Sequence, residues 1–510
     1  MISTATGMVN DKREIYGWAM FDWAISAFST TVITVFLGPY LSSITKAAAD
    51  ANGLVYLLGV PIRYDSYFTY LISASVLLQV TFLPILGALA DYSHLRKRLM
   101  RIFSTLGAVA TILLFFITPG LHWLAGLLFL TANLAFGAGM VFYNSYLPNI
   151  ASEDQRDRVS AYAWAMGYLG GGLLLLINLV MYLFAGKFGL SETLVARISL
   201  ASAGVWWLGF SFITFARLRQ RQAVQQLPPG DSYLTIGFKQ LARLIGISNS
   251  AVTTMMLLPL LIPVLFLLRV PVVIALLPAL GPIAVLGIFI YKKSKTLPEA
   301  MKYLISYLLY NDGIQTVIAV SAIFAAEELG MSSTNLILVI LMIQFVAFFG
   351  ALGFGRLAGR LGTKNTILLS LVIWSGCVIY AAMGMKGTAL VLGMEQRQLE
   401  FWFLGFVIAL VMGGSQALSR SLFAQMVPKD QEAEFYSFYE ISERGTSWMG
   451  TFLFGLVNQI TGSLRLGIVS VIVFFLLGLV LLPLVNVPKA MAQGKQGGVP
   501  LEEVAVEAAH

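Results

Sequence analysis

A single cysteine in 510 residues, Cys377, excludes an intramolecular disulfide, and its apolar neighbours make it a packing residue. Histidine is almost as scarce: His94, His122 and His510 show no metal-ligand spacing. No Gly-x-x-x-x-Gly-Lys-Ser/Thr stretch occurs, so coupling to ATP through a phosphate loop is not expected, nor is any cofactor or enzyme activity. Charge is scarce too, because Asp, Glu, Lys and Arg make up 11% of the chain, where a water-soluble domain carries about a quarter. Water is not the main solvent. The segment from Met1 to Glu14 is polar and charged, without the short apolar core of a signal peptide, and none is expected. The formal charge of +8 would suggest nucleic acid only if the basic residues shared one soluble face, and they are scattered.

What the chain has is hydrophobic length. Hydrophobic residues make up 58% and the mean hydropathy is +0.81. Many apolar stretches run roughly 18 to 25 residues, enough at about 1.5 Å per residue to cross a hydrocarbon core of about 30 Å. Lipid offers the backbone no hydrogen-bond partners, so stretches of this length are helices, and the expected class is an all-α polytopic membrane protein. Six spans are expected at 16–41, 67–90, 102–118, 122–146, 160–184 and 195–215. Six more follow at 303–324, 334–355, 366–384, 401–420, 435–460 and 466–485. Between the two sets, 251–291 is apolar and proline-rich around Arg269, and the positive-inside rule selects a hairpin there. An even number of passes keeps Arg356, Arg360 and Lys364 on the same side as Arg96, Lys97, Arg98 and Arg101. The expectation is about 14 spans with both termini cytoplasmic. It divides into bundles at 1–216 and 301–487, a linker at 217–300 with an interfacial helix near 234–245, and a tail at 488–510.

The two sets of spans share traces of duplication, as parallel repeats in transporters do. Asp22 and Asp312 each lie early in the first span of their half. The loop after each second span joins glycine to basic residues, with Gly87, Asp91, Arg96, Lys97 and Arg98 in the first copy. The second copy runs Gly355, Arg356, Gly359, Arg360, Gly362 and Lys364. Each fourth span ends at a proline, Pro148 or Pro428, before a charged loop.

Ionisable side chains inside spans are costly and face a partner or a watery cavity. Asp22, Ser26, Ser29, Thr30 and Thr34 recur at intervals of three and four, making one polar stripe. Two readings stay open: the stripe lines a path, or Asp22 anchors its helix. A second stripe joins Tyr436, Glu440, Glu443 and Ser447, with Arg444 four residues after Glu440 in the favourable orientation for a local pair. Asp22, Asp312, Glu440 and Glu443 form the pool for proton coupling. Arg420 could meet a substrate carboxylate or serve as a topology charge. Asn144, Gln315 and Gln416 could bond a ligand or a neighbouring helix. Asp91 with Arg96, Lys97 and Arg98 reads as a gate, with Gly87, Arg360 and Lys364 in its two copies.

The Gly-x-x-x-Asp loop followed by basic residues, with its weaker second copy, resembles the signature loop of the major facilitator superfamily. Sharper likenesses lie at 16–24, 142–148, 167–171, 310–316 and 413–420, with the wordings Tyr-Gly-Trp-Ala-Met-Phe-Asp-Trp-Ala, Phe-Tyr-Asn-Ser-Tyr-Leu-Pro, Gly-Tyr-Leu-Gly-Gly, Tyr-Asn-Asp-Gly-Ile-Gln-Thr and Gly-Gly-Ser-Gln-Ala-Leu-Ser-Arg. These resemble the branch that includes fungal autophagy-related vacuolar amino-acid effluxers and their bacterial relatives. The resemblance implies two six-helix bundles working by alternating access on a small solute, driven by protons. It further implies efflux of amino acids or similar metabolites, in a bacterial cytoplasmic membrane or, alternatively, a vacuolar or lysosomal one. A carrier of another solute, such as a sugar or drug-like compound, and a non-transporting membrane scaffold or receptor are the rival readings.

Overall fold

The computed structural model describes residues 9–57, 60–64, 67–91, 95–220, 233–268, 270, 274, 277–391, 393–428, 431–444, 448–461 and 463–495. Among them, ten helices are long and apolar enough to cross a membrane. They are Lys12–Ala48, Tyr70–Gly87, Arg96–Phe116, His122–Ile150, Arg156–Leu183, Glu192–Arg217, Asn335–Leu361, Thr363–Met383, Gln396–Met426 and Leu464–Leu484. The helix Pro298–Glu327 adds 30 residues, a length of about 45 Å at the α-helical rise. Serines start several of the helices. Ser191, Ser332 and Ser463 accept hydrogen bonds from the N–H groups of Leu194, Asn335 and Leu466, meeting donors that the first turn leaves without partners. Two small antiparallel hairpins, Leu54–Leu57 with Val60–Arg63 and Leu390–Val391 with Met394–Glu395, are the strands that join this helical fold.

The chain divides into two compact units that do not follow its order. The first holds 1–146, 173–295 and 430–441; the second holds 147–172, 296–429 and 442–510. Each unit therefore contains a short segment from the opposite half of the sequence.

In the first unit, Trp207 is fully buried against Phe28 and Phe136, with ring centroids 5.5 and 6.3 Å away. Burying a side chain of that size contributes about 2–3 kcal/mol. Gly107 makes room for it, since a Cβ there would overlap the indole ring. The first helix widens to π geometry at Phe28–Phe36, where the N–H of Leu37 reaches back five residues to the carbonyl of Val32. A helix forms at Tyr233–Ile245, with Ile236, Leu241 and Ala242 buried. Its Gly237 lies so close to Ile85 that a Cβ would sit 2.7 Å from the Ile85 carbonyl oxygen, so this face packs on the Tyr67–Asp91 helix. In the apolar insertion, Asn249–Leu257 and Leu280–Thr296 meet where Gly281 faces the Met255 carbonyl. Arg269 lies outside the described residues.

In the second unit, the helices Ser333–Leu361 and Gln396–Met426 approach through small residues. A Cβ on Gly413 would sit 2.7 Å from the Ala347 carbonyl oxygen, which explains a glycine there. Trp374 stacks on Phe475 at 5.7 Å. Arg465 pairs with Glu328 at 2.6 Å and donates to the carbonyls of Ala381, Ala382, Gly384 and Met385, tying several helix ends together. One expected boundary moves. The helix read as ending at residue 420 runs on to Met426, which puts Arg420 inside it. Of the span read as 435–460, the helices Glu432–Arg444 and Trp448–Thr461 are described, and 445–447 lie outside the described residues.

Candidate functional site

Two buried carboxyls of the first unit are held from the end of the helix His122–Asn144, Asp22 on the first helix and Glu440 on the helix Glu432–Arg444. Asp22 is 5% exposed and accepts a 2.7 Å hydrogen bond from the Tyr143 hydroxyl. Tyr143 is aimed by its surroundings: Trp18 stacks on it at 4.4 Å and donates its indole N–H to the Tyr143 carbonyl at 2.9 Å, while Phe21 stacks at 5.1 Å. One residue further on, Asn144 donates its amide to Glu440 at 2.5 Å. Glu440 is fully buried, as are Tyr436 and Tyr439 beside it, the two rings 5.7 Å apart. Phe438 stacks on Phe289 at 3.6 Å, which holds the 430–441 segment in place.

The basic cluster after the second span splits three ways. Arg96 is buried, donating to the Ser145 carbonyl and lying 3.8 Å from Glu432. Lys97 caps the Leu218 carbonyl, and Arg98 is exposed. Gly87 is buried, and Asp91 ends the Tyr67–Asp91 helix, its side chain outside the described residues. The further polar stripe of the first helix is bent by the π turn. Ser26 is half-buried and accepts from Ser29 through its carbonyl, Thr30 is buried, and Thr34 is exposed and bonds the Ser29 carbonyl five residues back. A π turn shifts the register by one residue, so an even three-and-four spacing no longer keeps all five groups on one line.

In the second unit, Arg420 is 1% exposed and already engaged. Its guanidinium donates to the Ser160 hydroxyl and the Ser160 carbonyl, each at 2.9 Å, and lies 5.4 Å over the Trp164 ring. Ser160 in turn donates to the Ala417 carbonyl at 2.8 Å. Gln416 accepts from Tyr168 at 2.8 Å, and Arg156 donates to the Ala424 carbonyl at 3.0 Å. Tyr310 shares a 2.6 Å hydrogen bond with Ser419, whose carbonyl accepts from Tyr303. Asp312 is fully buried, and its Oδ2 accepts the backbone N–H of Gly450 at 2.6 Å. Gln315 is half-buried; the side chains of Glu443 and Arg444, and Ser447 itself, lie outside the described residues. Of the second loop copy, Arg360 is exposed and Lys364 donates to the carbonyls of Pro483 and Val485. A 580 Å³ cleft borders Lys364, Asn365 and 483–488, and none of the buried carboxylates lines it.

Several partners were hidden from sequence reasoning. Tyr143 and Ser160 are ordinary residues until packing shows what they hold, although Tyr143 stands beside the singled-out Asn144. Asp157 sits in the first turn of Arg156–Leu183 and accepts from the Thr363 hydroxyl at 2.6 Å, beside Lys364 in sequence. Asn133 with Ser75, and Asn178 with Ser202, hold neighbouring helices together. Outside the membrane, hydrogen bonds hold two carboxyls below their ordinary range: Asp154 through the Ser152 hydroxyl and Gln155 amide, and Asp11 first through the Arg13 N–H.

Residues 10–259 and 284–495 match the family described as "Vacuole effluxer Atg22 like". The unmatched residues 260–283 fall within the apolar insertion. The uncharacterized MFS-type transporter YxiO of Bacillus subtilis is 28% identical, the match covering 92% of this chain and 94% of that protein. Autophagy-related protein 22-1 of Penicillium rubens is 24% identical over 96% of this chain and 92% of its own. The solved proton:xylose symporter XylE aligns with a TM-score of 0.62 over 97% of this chain and 98% of that one, at 12% identity, which shows the major facilitator fold.

Proposed function

We propose a transport function on one premise: the chain belongs to the vacuole effluxer Atg22-like family. The protein is a secondary active transporter that opens a solute site to one side of the membrane at a time, driven by protons. Its solutes are amino acids or similar small metabolites, and the direction is efflux, the activity in the family's description. The bundles at 1–216 and 301–487 carry the cycle, 217–300 connects them with an added apolar hairpin for about 14 spans, and both termini are cytoplasmic. A bacterial cytoplasmic membrane is the favoured location, with a vacuolar or lysosomal membrane as the alternative.

The observation that supports this reading most is the Asn144–Glu440 hydrogen bond, which joins residues from opposite halves of the sequence in a fully buried setting. Burying a carboxyl costs several kcal/mol unless it is well bonded, so a passive scaffold gains nothing that an apolar pair would not supply. A carrier gains a contact that holds in one state and can separate in the other. The buried ties of Arg420 to Ser160 and of Gln416 to Tyr168 repeat that logic within the second unit. The test is a thermal-shift screen of the purified protein against metabolites, followed by flux of each stabilising solute in proteoliposomes. Stabilisation by amino acids and their pH-gradient-driven flux are expected. A sugar or drug-like hit would redirect the substrate class, and no flux of any stabilising solute would favour a scaffold.

A further inference from the structure

We infer that Asp312, with Thr316 as its hydrogen-bond partner, carries the coupling proton; the inference rests on the proton-driven reading above. The three candidate carboxyls among the described residues, Asp22, Asp312 and Glu440, are not equivalent. Asp22 and Glu440 each receive a side-chain hydrogen bond, from Tyr143 and Asn144. Among the described residues Asp312 receives only the backbone N–H of Gly450, on Oδ2, and its Oδ1 is buried without a hydrogen-bond partner. The hydroxyl of Thr316 is likewise buried without one. Four residues separate them, so both lie on one face of the Pro298–Glu327 helix. They also converge on one point: a Cβ built on Gly450 would sit 3.0 Å from Asp312 Oδ2 and overlap the Thr316 hydroxyl. A proton arriving on Oδ1 turns that oxygen into a donor, and Thr316 Oγ1 is the free acceptor one turn away. The Gly450 N–H stays on Oδ2 in both states.

Charged groups on the packed elements face solvent or other partners: Arg356, Arg360 and Lys489 are exposed, Arg397 pairs with Glu395 and Lys495 with Glu153. Tyr303 and Tyr310 bond Ser419, Glu299 bonds the Asn486 N–H and Lys302, and Arg465 pairs with Glu328. Arg420 is held on Ser160, Tyr380 on Glu400, and Lys364 on two carbonyls. The helices Trp448–Thr461 and Ile472–Leu481 contain no Asp, Glu, Lys, Arg or His. Among the described residues, no ion pair reaches Asp312.

Infrared difference spectroscopy of the full-length protein between neutral and alkaline pH, where exposed carboxyls stay ionised throughout, tests this without any substrate. The wild type should show a protonated-carboxyl stretch that comes and goes with pH. Asp312→Asn should lose it, whereas Asp22→Asn and Glu440→Gln should keep it. Thr316→Val, which preserves charge and shape, should retain the band at a shifted frequency. No titrating band in the wild type, or a band that persists in Asp312→Asn, overturns the inference, and an unshifted band in Thr316→Val removes Thr316 from it. In proteoliposomes, Asp312→Asn should keep solute exchange at equal pH and lose accumulation driven by a pH gradient. Unchanged accumulation contradicts the inference. A wild type that moves no solute would instead sink the transport reading, leaving the infrared result to decide the role of Asp312.

Discussion

The first unit fastens its buried carboxyls with side-chain donors, Tyr143 on Asp22 and Asn144 on Glu440, whereas the second holds Asp312 by one backbone N–H. The second unit places a strong side-chain donor, Arg420, on Ser160. A carboxyl with a side-chain donor is suited to a contact that opens and closes, because the partner can move away with its own helix. One held only by backbone, beside an empty hydroxyl, is suited to gaining and losing a proton in place. Similar chemistry thus serves holding in one region and charging in the other.

The severest way to break that comparison is to remove the cation. Arg420→Ala leaves both oxygens of Ser160 without their donor and should lower stability by about 3 kcal/mol, read by denaturation in detergent. Arg420→Lys should recover only part, because one ammonium cannot serve two acceptors while stacking on Trp164. Next in size is Gly450→Ala, whose new methyl meets Thr316 and should cost about 2 kcal/mol. Adding Thr316→Ala should return most of that stability and so locate the clash. Asn144→Ala should cost about 1–2 kcal/mol by taking a donor from Glu440, and Glu440→Gln, which keeps an acceptor for Asn144, should cost less. A Glu440→Gln protein as unstable as Asn144→Ala would mean the carboxylate charge itself is used.

The smallest effect belongs to the Leu54–Leu57 hairpin. Asp50 there accepts the N–H groups of Leu54 and Asn52 and the Tyr56 hydroxyl, and the Leu54 bond above all holds its carboxyl below the ordinary value. Its folded value lies under its unfolded one, so its stabilising contribution is present above the unfolded carboxylate range and is lost as pH falls through the folded value. Amide exchange at Asn52 and Leu54 should therefore quicken in acid, and Asp50→Asn should show the faster rate already at neutral pH while flux is unchanged.

Hydropathy made the spans legible, because lipid forces long helices wherever the chain is apolar enough. Asp22, Asp312, Asn144, Glu440, Gln416 and Arg420 were legible for the same reason, as polar groups in apolar runs, and all six are buried. What they bond was not legible. Spacing along one helix says nothing about Tyr143 reaching Asp22 from 121 residues away, or Ser160 reaching Arg420 from 260. The π turn escaped because it depends on a local hydrogen-bond shift that no residue type at 28–36 demands. Arg420 was placed at a helix end because the apolar run stops there; the helix continues because its last turn is buried, with Leu422, Phe423 and Ala424 all in the core.

The most direct test of the transport cycle closes the Asn144–Glu440 contact chemically. With Cys377 replaced by alanine, cysteines at 144 and 440 would be bridged by a short reducible cross-linker in proteoliposomes, and solute flux measured before and after reduction. The account predicts that bridging stops flux and that reduction restores it. Full flux through the bridged protein would show that this contact never opens, and would contradict the account.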